Sequence, residues 1–207
     1  TGTASASRAR AGPDSSSTAG ARPRAGQLIT VTASRYGGTW ARLTAYQRTA
    51  GHWRRVLGPW PARLGRGGLA PPGGKREGDG RTPSGTFGLP FLFGTGPDPG
   101  FRYPYRRSHP WDVWDDDPAS ARYNQWVDTR YADPGAGPEP MDVSAYVYGA
   151  DIGYNAARTP GLGSAIFLHA SIGIATSGCV TLPVPRLLRV LHWLDPARSP
   201  RITLGVR

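Results

Sequence analysis

The chain is poor in cysteine, in lysine and in acid. Its 207 residues include one cysteine, Cys179, which excludes an internal disulfide framework and any cysteine-rich zinc site. Lys75 is the one lysine among 25 basic residues, and only 14 acidic residues oppose them. No run of about 18 apolar residues occurs, so no segment has the makings of a membrane-spanning helix. Uninterrupted helix-favouring stretches are scarce too, because Gly (29) and Pro (21) punctuate the whole chain. Both residues break helix interiors, which disfavours a helical bundle or coiled coil.

What is present points to a folded, turn-rich, mainly β domain. Seven Trp, nine Tyr and five Phe supply apolar surface that a chain solvated from end to end would not carry. The net charge of +11 favours an anionic partner: nucleic acid, anionic lipid or an anionic cell wall. The basic residues are strung along the chain rather than gathered into a strip, which argues against nucleic acid. The chain opens on Thr1 rather than methionine, so it reads as processed or trimmed, with room for a secretory signal lost upstream.

Residues 1–26 are small, polar and basic with no apolar period, and read as a flexible tail or linker ahead of one domain over residues 27–207. Residues 27–33 and 39–48 alternate around Gly37-Gly38 as a hairpin, and 51–57 read as a third strand. Residues 86–93 form a short strand or strand pair, with Pro90 at an edge or bend. Residues 97–140 read as one long irregular excursion dense in aromatics. Strand texture returns at 143–148 and at 165–169, the latter apolar enough to be central. Val184, Leu187, Leu188, Leu191 and Leu194 mark a helix over 183–195, and 201–206 a closing strand. The expected architecture is mainly β and mainly antiparallel, with one helix in the C-terminal half packed on the sheets.

The sharpest chemical feature is FLHASIGIATSGCVTLP at residues 167–183. Thiol catalysis needs a nucleophile, a base and donors for an oxyanion. Cys179 is the candidate nucleophile and His169 the base, and the N–H groups of Gly178 and Cys179 are the oxyanion donors. The helix that follows is expected to lower the thiol pKa through its positive end. The competing structural reading is a buried small hydrophobe and a structural histidine.

Two further segments stand out. KREGDGRTPSGTF at 75–87 is a turn rich in backbone donors; it lacks the Lys-Ser/Thr ending and following helix of a nucleotide cradle. WDVWDDDPASARYNQW at 111–126 has carboxylates without EF-hand spacing. Asp115–Asp117 beside Trp111, Trp114 and Trp126 are candidates for a rim that receives a cationic group. His52, His109 and His192 lack metal-ligand spacing, so no metal or cofactor is expected.

In this order the three segments resemble the L,D-transpeptidase catalytic domain, the YkuD-type fold. The resemblance is carried by Lys75, Glu77, Gly78, Asp79, Gly80, Thr82, Pro83, Gly85 and Phe87, by the strand ending in His169, by Ser177-Gly178-Cys179 and by the helix after it. It runs from about residue 26 to the C-terminus. It implies a cysteine acylated by a peptidoglycan stem peptide, with Cys179 as nucleophile, His169 as base and a backbone carbonyl at Ala170 orienting the imidazole. An amine acceptor then gives a 3→3 cross-link; water would give an L,D-carboxypeptidase or amidase, and a degenerate site would leave a wall-binding module. Carbapenem sensitivity, a monomeric state and an extracytoplasmic, secreted or wall-associated location are part of the same expectation. Substrate contacts are expected at Ser177, Thr181, Tyr154, Asn155, Trp114 and Asp116. The better-known branch reads Ser-His-Gly-Cys-Ile-Arg; here no second histidine is present and Thr181 stands in place of the arginine. The acidic block with Trp114, Asp116, Asp117, Pro118, Tyr123 and Asn124 marks a different branch.

Overall fold

Strict alternation of apolar and polar residues makes residues 27–33 a strand with one buried face. Gln27, Ile29, Val31 and Ala33 are buried and the residues between them are half-exposed. The computed structural model describes Thr1 and residues 25–207; the tail expected at 1–26 lies almost wholly outside the described residues. β1 (Gln27–Ala33) pairs antiparallel with β2 (Trp40–Thr49), Gln27 opposite Gln47 and Ala33 opposite Ala41. β2 returns as β3 (His52–Arg63) through Ala50 and Gly51, both at positive φ. Two successive left-handed residues give the turn whose twist matches that of the flanking strands.

Residues 86–93 divide at Pro90 into β4 (Gly85–Gly88) and β5 (Leu92–Gly94). The long segment expected to be irregular contains four short strands: β6 (Tyr105–Arg107), β7 (Asp112–Asp115), β8 (Gln125–Asp128) and β9 (Glu139–Pro140). Runs of two to four residues are too short to show a period of two. β10 (Gly149–Asp151), β11 (Phe167–Ala170), β12 (Val180–Leu182), α1 (Val184–Trp193) and β13 (Arg201–Val206) complete the order. Ten strands form one sheet, β4-β13-β1-β2-β3-β12-β11-β10-β5-β6, and β8-β7-β9 form a second.

The strand expected at 143–148 is a correction. Ser144–Tyr146 form a single 3₁₀ turn, closed by Tyr146 N–H on Val143 O at 2.9 Å, and the strand begins only at Gly149. Tertiary anchoring overrides β propensity here. The Tyr146 ring packs edge-on against Phe93 and Phe167, and its hydroxyl donates to Glu139.

The large sheet is covered on both faces around β11 and β12. On one side Leu168, Ala170, Val180 and Leu182 meet Leu187, Val190, Leu191 and Leu194 of the helical segment in the main core. On the other, Phe167 and Cys179 join Phe93, Trp114, Met141 and Tyr146 in a second core, roofed by the segment that carries the small sheet. α1 stops where Leu194 turns extended, ahead of Pro196. Among the described residues no helix is long and apolar enough to cross a membrane.

Leu191 is fully buried between α1 and the sheet. Leu191→Ala is expected to cost about 2–5 kcal/mol, the usual sum of lost transfer energy and residual cavity. Urea unfolding should show a lower midpoint with an unchanged m-value; an unshifted midpoint would mean that α1 does not hold the sheet.

Candidate active site

Parallel pairing sets the geometry. Leu168 lies opposite Val180, His169 opposite Thr181 and Ala170 opposite Leu182. Directly opposed residues share a sheet face, so His169 and Thr181 share theirs, and alternation puts Cys179 and Phe167 there too. Cys179 and His169 accordingly line one cleft of about 560 Å³. Its remaining wall includes Glu77, Asp116, Glu139 and Ser164 on one side and the loop from Ile172 to Gly178 on the other. Ile172 and Ile174 of that loop are exposed. The loop is tied down by Thr176 N–H on Leu64 O at 3.0 Å and by Arg66 N–H on Thr176 O at 2.7 Å.

The imidazole is held at one nitrogen. His169 Nδ1 lies 2.9 Å from Ala170 O and 3.2 Å from Ala145 O. Carbonyl oxygens only accept, so Nδ1 carries the proton and Nε2 keeps its lone pair. The second carbonyl, that of Ala145, comes from the 3₁₀ turn at Ser144–Tyr146. The Tyr146 ring stands edge-on to the imidazole at 4.9 Å. Burial pulls the His169 pKa down to about 4 against the pull of those two carbonyls.

The thiol does not contact the imidazole in this state. Cys179 S–H donates to Ala165 O at 3.3 Å, and Sγ accepts the Phe167 N–H at 3.3 Å. Burial pushes the thiol pKa up, and Glu139 adds to it, against the Phe167 N–H and Lys75. This corrects the expected lowering by the helix: α1 begins at Val184, beyond the whole of β12, and helix-end effects fade within a turn. The Gly178 N–H, expected as an oxyanion donor, is occupied by Thr176 Oγ1 at 3.1 Å. The Cys179 N–H has no acceptor among the described residues.

Other expected contacts divide cleanly. Ser177, Thr181 and Asp116 line the cleft. Ser177 Oγ accepts from Arg66 Nη1 at 3.0 Å, and Thr181 Oγ1 is buried without a partner. Trp114, Tyr154 and Asn155 lie elsewhere. Trp114 is buried against Phe167 and its indole N–H donates to Asn124 Oδ1 at 3.0 Å. The Tyr154 hydroxyl donates to Leu162 O at 2.6 Å, and Asn155 Nδ2 to Thr159 O and Gly163 O at 3.0 Å. They brace the turn at 155–163. The wider aromatic–acidic rim does not form either. Asp115 is fully buried, accepting from Ser120 Oγ and Gly135 N–H, and Asp117 caps Ala119 and Ala136. The Trp111 ring lies against His109 and Arg130, and Trp126 donates to Asp112.

One residue of the cleft wall carried no local signal. Glu139 stands alone between prolines in the sequence, yet folding lays it beside the thiol. Burial, opposed by the Tyr146 hydroxyl and reinforced by Asp116 and Glu77, pushes its carboxyl up to about 7. Glu77 accepts from Tyr123 and from Ser164 Oγ at 2.7 Å. Lys75, 4% exposed, gives its ammonium to Asp79 at 2.7 Å. Against the cost of burial, Lys75 and the N–H groups of Arg76 and Arg81 hold the Asp79 carboxyl low. Asp116 accepts no hydrogen bond from another described residue. Burial and the carboxylates of Glu77, Asp115 and Asp117 raise its pKa against its own N–H.

The model of the L,D-transpeptidase catalytic domain (YkuD) matches residues 40–202, a span that includes Lys75–Phe87, His169 and Cys179. The chain belongs to this family. No curated protein matches it. Among solved structures, the helical cell shape determining protein Pgp2 from Campylobacter jejuni is similar at 14% identity with a TM-score of 0.39. The match covers 87% of this chain and 48% of that one, so the chain spans about half its length. For this YkuD domain, the match embraces every strand from β2 to β12 together with the helix.

The raised carboxyl of Glu139 makes stability depend on pH. It titrates near 7 in the fold against an ordinary value of 4.5, so the folded state binds a proton that the unfolded chain has lost. Its contribution is full below the unfolded pKa and is lost as pH rises through about 7. Glu139→Gln keeps an acceptor for Tyr146 but cannot ionise. Its Tm relative to the parent should therefore rise between about pH 5 and about pH 8, and a constant Tm difference across that range would refute the assignment.

Proposed function

We propose that this domain is a cysteine acyltransferase acting on peptidoglycan stem peptides, an L,D-transpeptidase in which Cys179 is the nucleophile and His169 the general base. One observation supports it above the rest. The His169 imidazole is pinned at Nδ1 by two backbone carbonyls, leaving Nε2 as its basic atom on the cleft that Cys179 also lines.

Burial holds both groups neutral, so they meet the substrate as thiol and imidazole. Rotation about the Cys179 side chain breaks the hydrogen bond to Ala165 O and turns the sulfur towards His169. Sγ then attacks the carbonyl carbon of the third stem residue while its proton passes to Nε2. The carbonyl π pair moves onto oxygen, where the Cys179 N–H is the available donor. Collapse re-forms the carbonyl and breaks the peptide C–N bond. The imidazolium returns its proton to the departing D-residue amine, leaving a thioester. An acceptor amine attacks that thioester, loses a proton to Nε2, and the sulfur leaves as the restored thiol. The product is a 3→3 cross-link. Extracytoplasmic placement at the cell wall follows from this substrate.

A carbapenem tests the thiol directly. Intact-mass analysis should show a one-to-one adduct that is absent in Cys179→Ala, and His169→Ala should slow adduct formation by about 10²–10⁴-fold, the usual worth of a general base. An adduct that persists in Cys179→Ala would sink the nucleophile assignment. On purified muropeptides, cross-linked dimers indicate an amine acceptor; shortened monomers alone would replace transfer by hydrolysis.

Asp116 is the cleft carboxylate with no partner of its own, and it suits the side-chain ammonium of a diaminopimelate-type third residue. Asp116→Lys should raise KM about tenfold on such a stem, the scale of one charge-assisted hydrogen bond, with kcat little changed. Equal KM values for parent and variant would remove Asp116 from recognition.

A further inference from the structure

Charge is divided unevenly over this fold. No Asp or Glu occurs from Gln27 to Arg76, and β1, β2 and β3 are all built from that acid-free stretch. The basic residues counted along the chain look dispersed, but the acids are not. One face of β1 and β2 is apolar and lies in the main core, joined by Leu57, Trp60 and Ala62 at the C-terminal part of β3. The opposite face carries Thr30 and Thr32 of β1, Arg42, Thr44 and Tyr46 of β2, and Arg55 of β3. These residues line two adjoining depressions of about 470 and 410 Å³ that share Thr32, Arg42 and Arg207. The rows are set by register: Thr32 opposite Arg42 opposite Pro61, and Leu28 opposite Tyr46 opposite Arg55. None of the described residues lining the groove is acidic.

The same face runs into the cleft. Trp40 lies opposite Arg63, Arg63 opposite Thr181, and Thr181 opposite His169. Opposed residues share a face, so this row joins the groove to the strand that follows Cys179. From β2 to β12 is two strand spacings, about 10 Å. Trp40 is 56% exposed, with the Arg63 guanidinium 4.4 Å from its ring centroid.

We propose that this arginine- and threonine-lined groove is a docking surface for the carboxylate-bearing sugar–peptide chain of peptidoglycan, which it holds while a stem of that chain lies in the cleft. The proposal rests on the reading of the cleft given above. Guanidinium groups bind carboxylates in a planar, two-pronged geometry, threonine hydroxyls can meet sugar hydroxyls and amides, and the exposed Trp40 ring offers an apolar platform. A phosphodiester polymer would also satisfy the arginines. Continuity with the cleft favours the polymer whose stems react there.

The test is co-sedimentation of the full chain with purified sacculi stripped of phosphodiester polymers. The parent protein should bind, and bind more weakly at about 300 mM than at about 50 mM salt, because exposed charge pairs are screened. R42E/R55E should bind at least tenfold more weakly, with R42Q/R55Q in between, while carbapenem acylates all three at the same rate, which also reports that they are folded. Charge-reversed protein that binds like the parent overturns the proposal. So does parent protein that binds only unstripped sacculi, which makes the phosphodiester polymer the partner. Tighter binding to a DNA oligonucleotide than to stripped sacculi, through the same two arginines, overturns it in favour of nucleic acid. Failure of the parent to be acylated counts against the cleft reading alone, because sacculus binding is scored without turnover.

Discussion

Across the parallel pair of β11 and β12, Leu168 faces Val180 and His169 faces Thr181, and side-chain alternation turns that register into a sorting of residues between two cores. Leu168, Ala170, Val180 and Leu182 go to the helix side, and Phe167 and Cys179 go to the other. A slip of one residue would bury the thiol under α1 and present Val180 to the cleft. The register is enforced because both faces are covered. The roof over the second face does more than exclude water: it brings Glu139 and Asp116 to the cleft wall and anchors Tyr146, whose turn delivers the Ala145 carbonyl to His169. The long aromatic segment is therefore part of the architecture of the cleft, although only two of its carboxylates reach it.

The packing that fixes the register also works against ionisation. Removing a thiol and an imidazole from water disfavours the charged form of each, and here burial lowers the His169 pKa and raises that of Cys179. The sulfur keeps its proton, engaged with Ala165 O. Glu139 penalises a thiolate further, whereas Lys75 favours one but has its ammonium committed to Asp79. In the proposed reaction, reactivity is therefore generated during attack, when proton transfer and bond formation share the cost, rather than stored in a resting ion pair. A thiol held protonated in this way is spared casual alkylation and oxidation, both of which need the thiolate.

Elements with a long, one-sided pattern were legible from sequence. The alternation of residues 27–33, the leucine spacing of α1 and the closing strand each report a single buried face, and each stands where its pattern placed it. The strand ending in His169 was legible as apolar and central, although its two faces serve different cores. The failures share a cause. The four short strands at 105–140 hold too few residues to establish a period, and the 3₁₀ turn at 144–146 is made by tertiary anchoring of Tyr146 against β propensity. At the site, Cys179 and His169 stood out by chemical type and spacing. Glu139 and the Ala145 carbonyl did not, because neither carries a local signature and each reaches the cleft only through long-range packing. Trp114, Tyr154 and Asn155 misled for the complementary reason: residue types suited to recognition serve equally well as internal struts.

The net charge of +11 is an average over two unlike halves. Thirteen of the fourteen carboxylates follow Arg76, and the other is Asp14, so the sheet half built from β1 to β3 is wholly basic while the cleft wall gathers Glu77, Asp116 and Glu139. A uniformly basic protein would attract any polyanion and repel cationic groups everywhere. Under the proposed reading, anionic groups are held along the groove and a cationic group beside Asp116 in the cleft, where Arg66 and Lys75 also stand, a few strand spacings away on one sheet face. A ligand that satisfies both must carry carboxylates along its length and an ammonium on the segment entering the cleft. A zwitterionic peptide borne on a carboxylate-bearing polymer meets that requirement; a nucleic acid, which offers no ammonium, meets only half of it. Charge separation of this kind can orient an approaching chain as well as attract it, and in the proposed arrangement that direction brings the cationic segment to the cleft lined by Cys179 and His169.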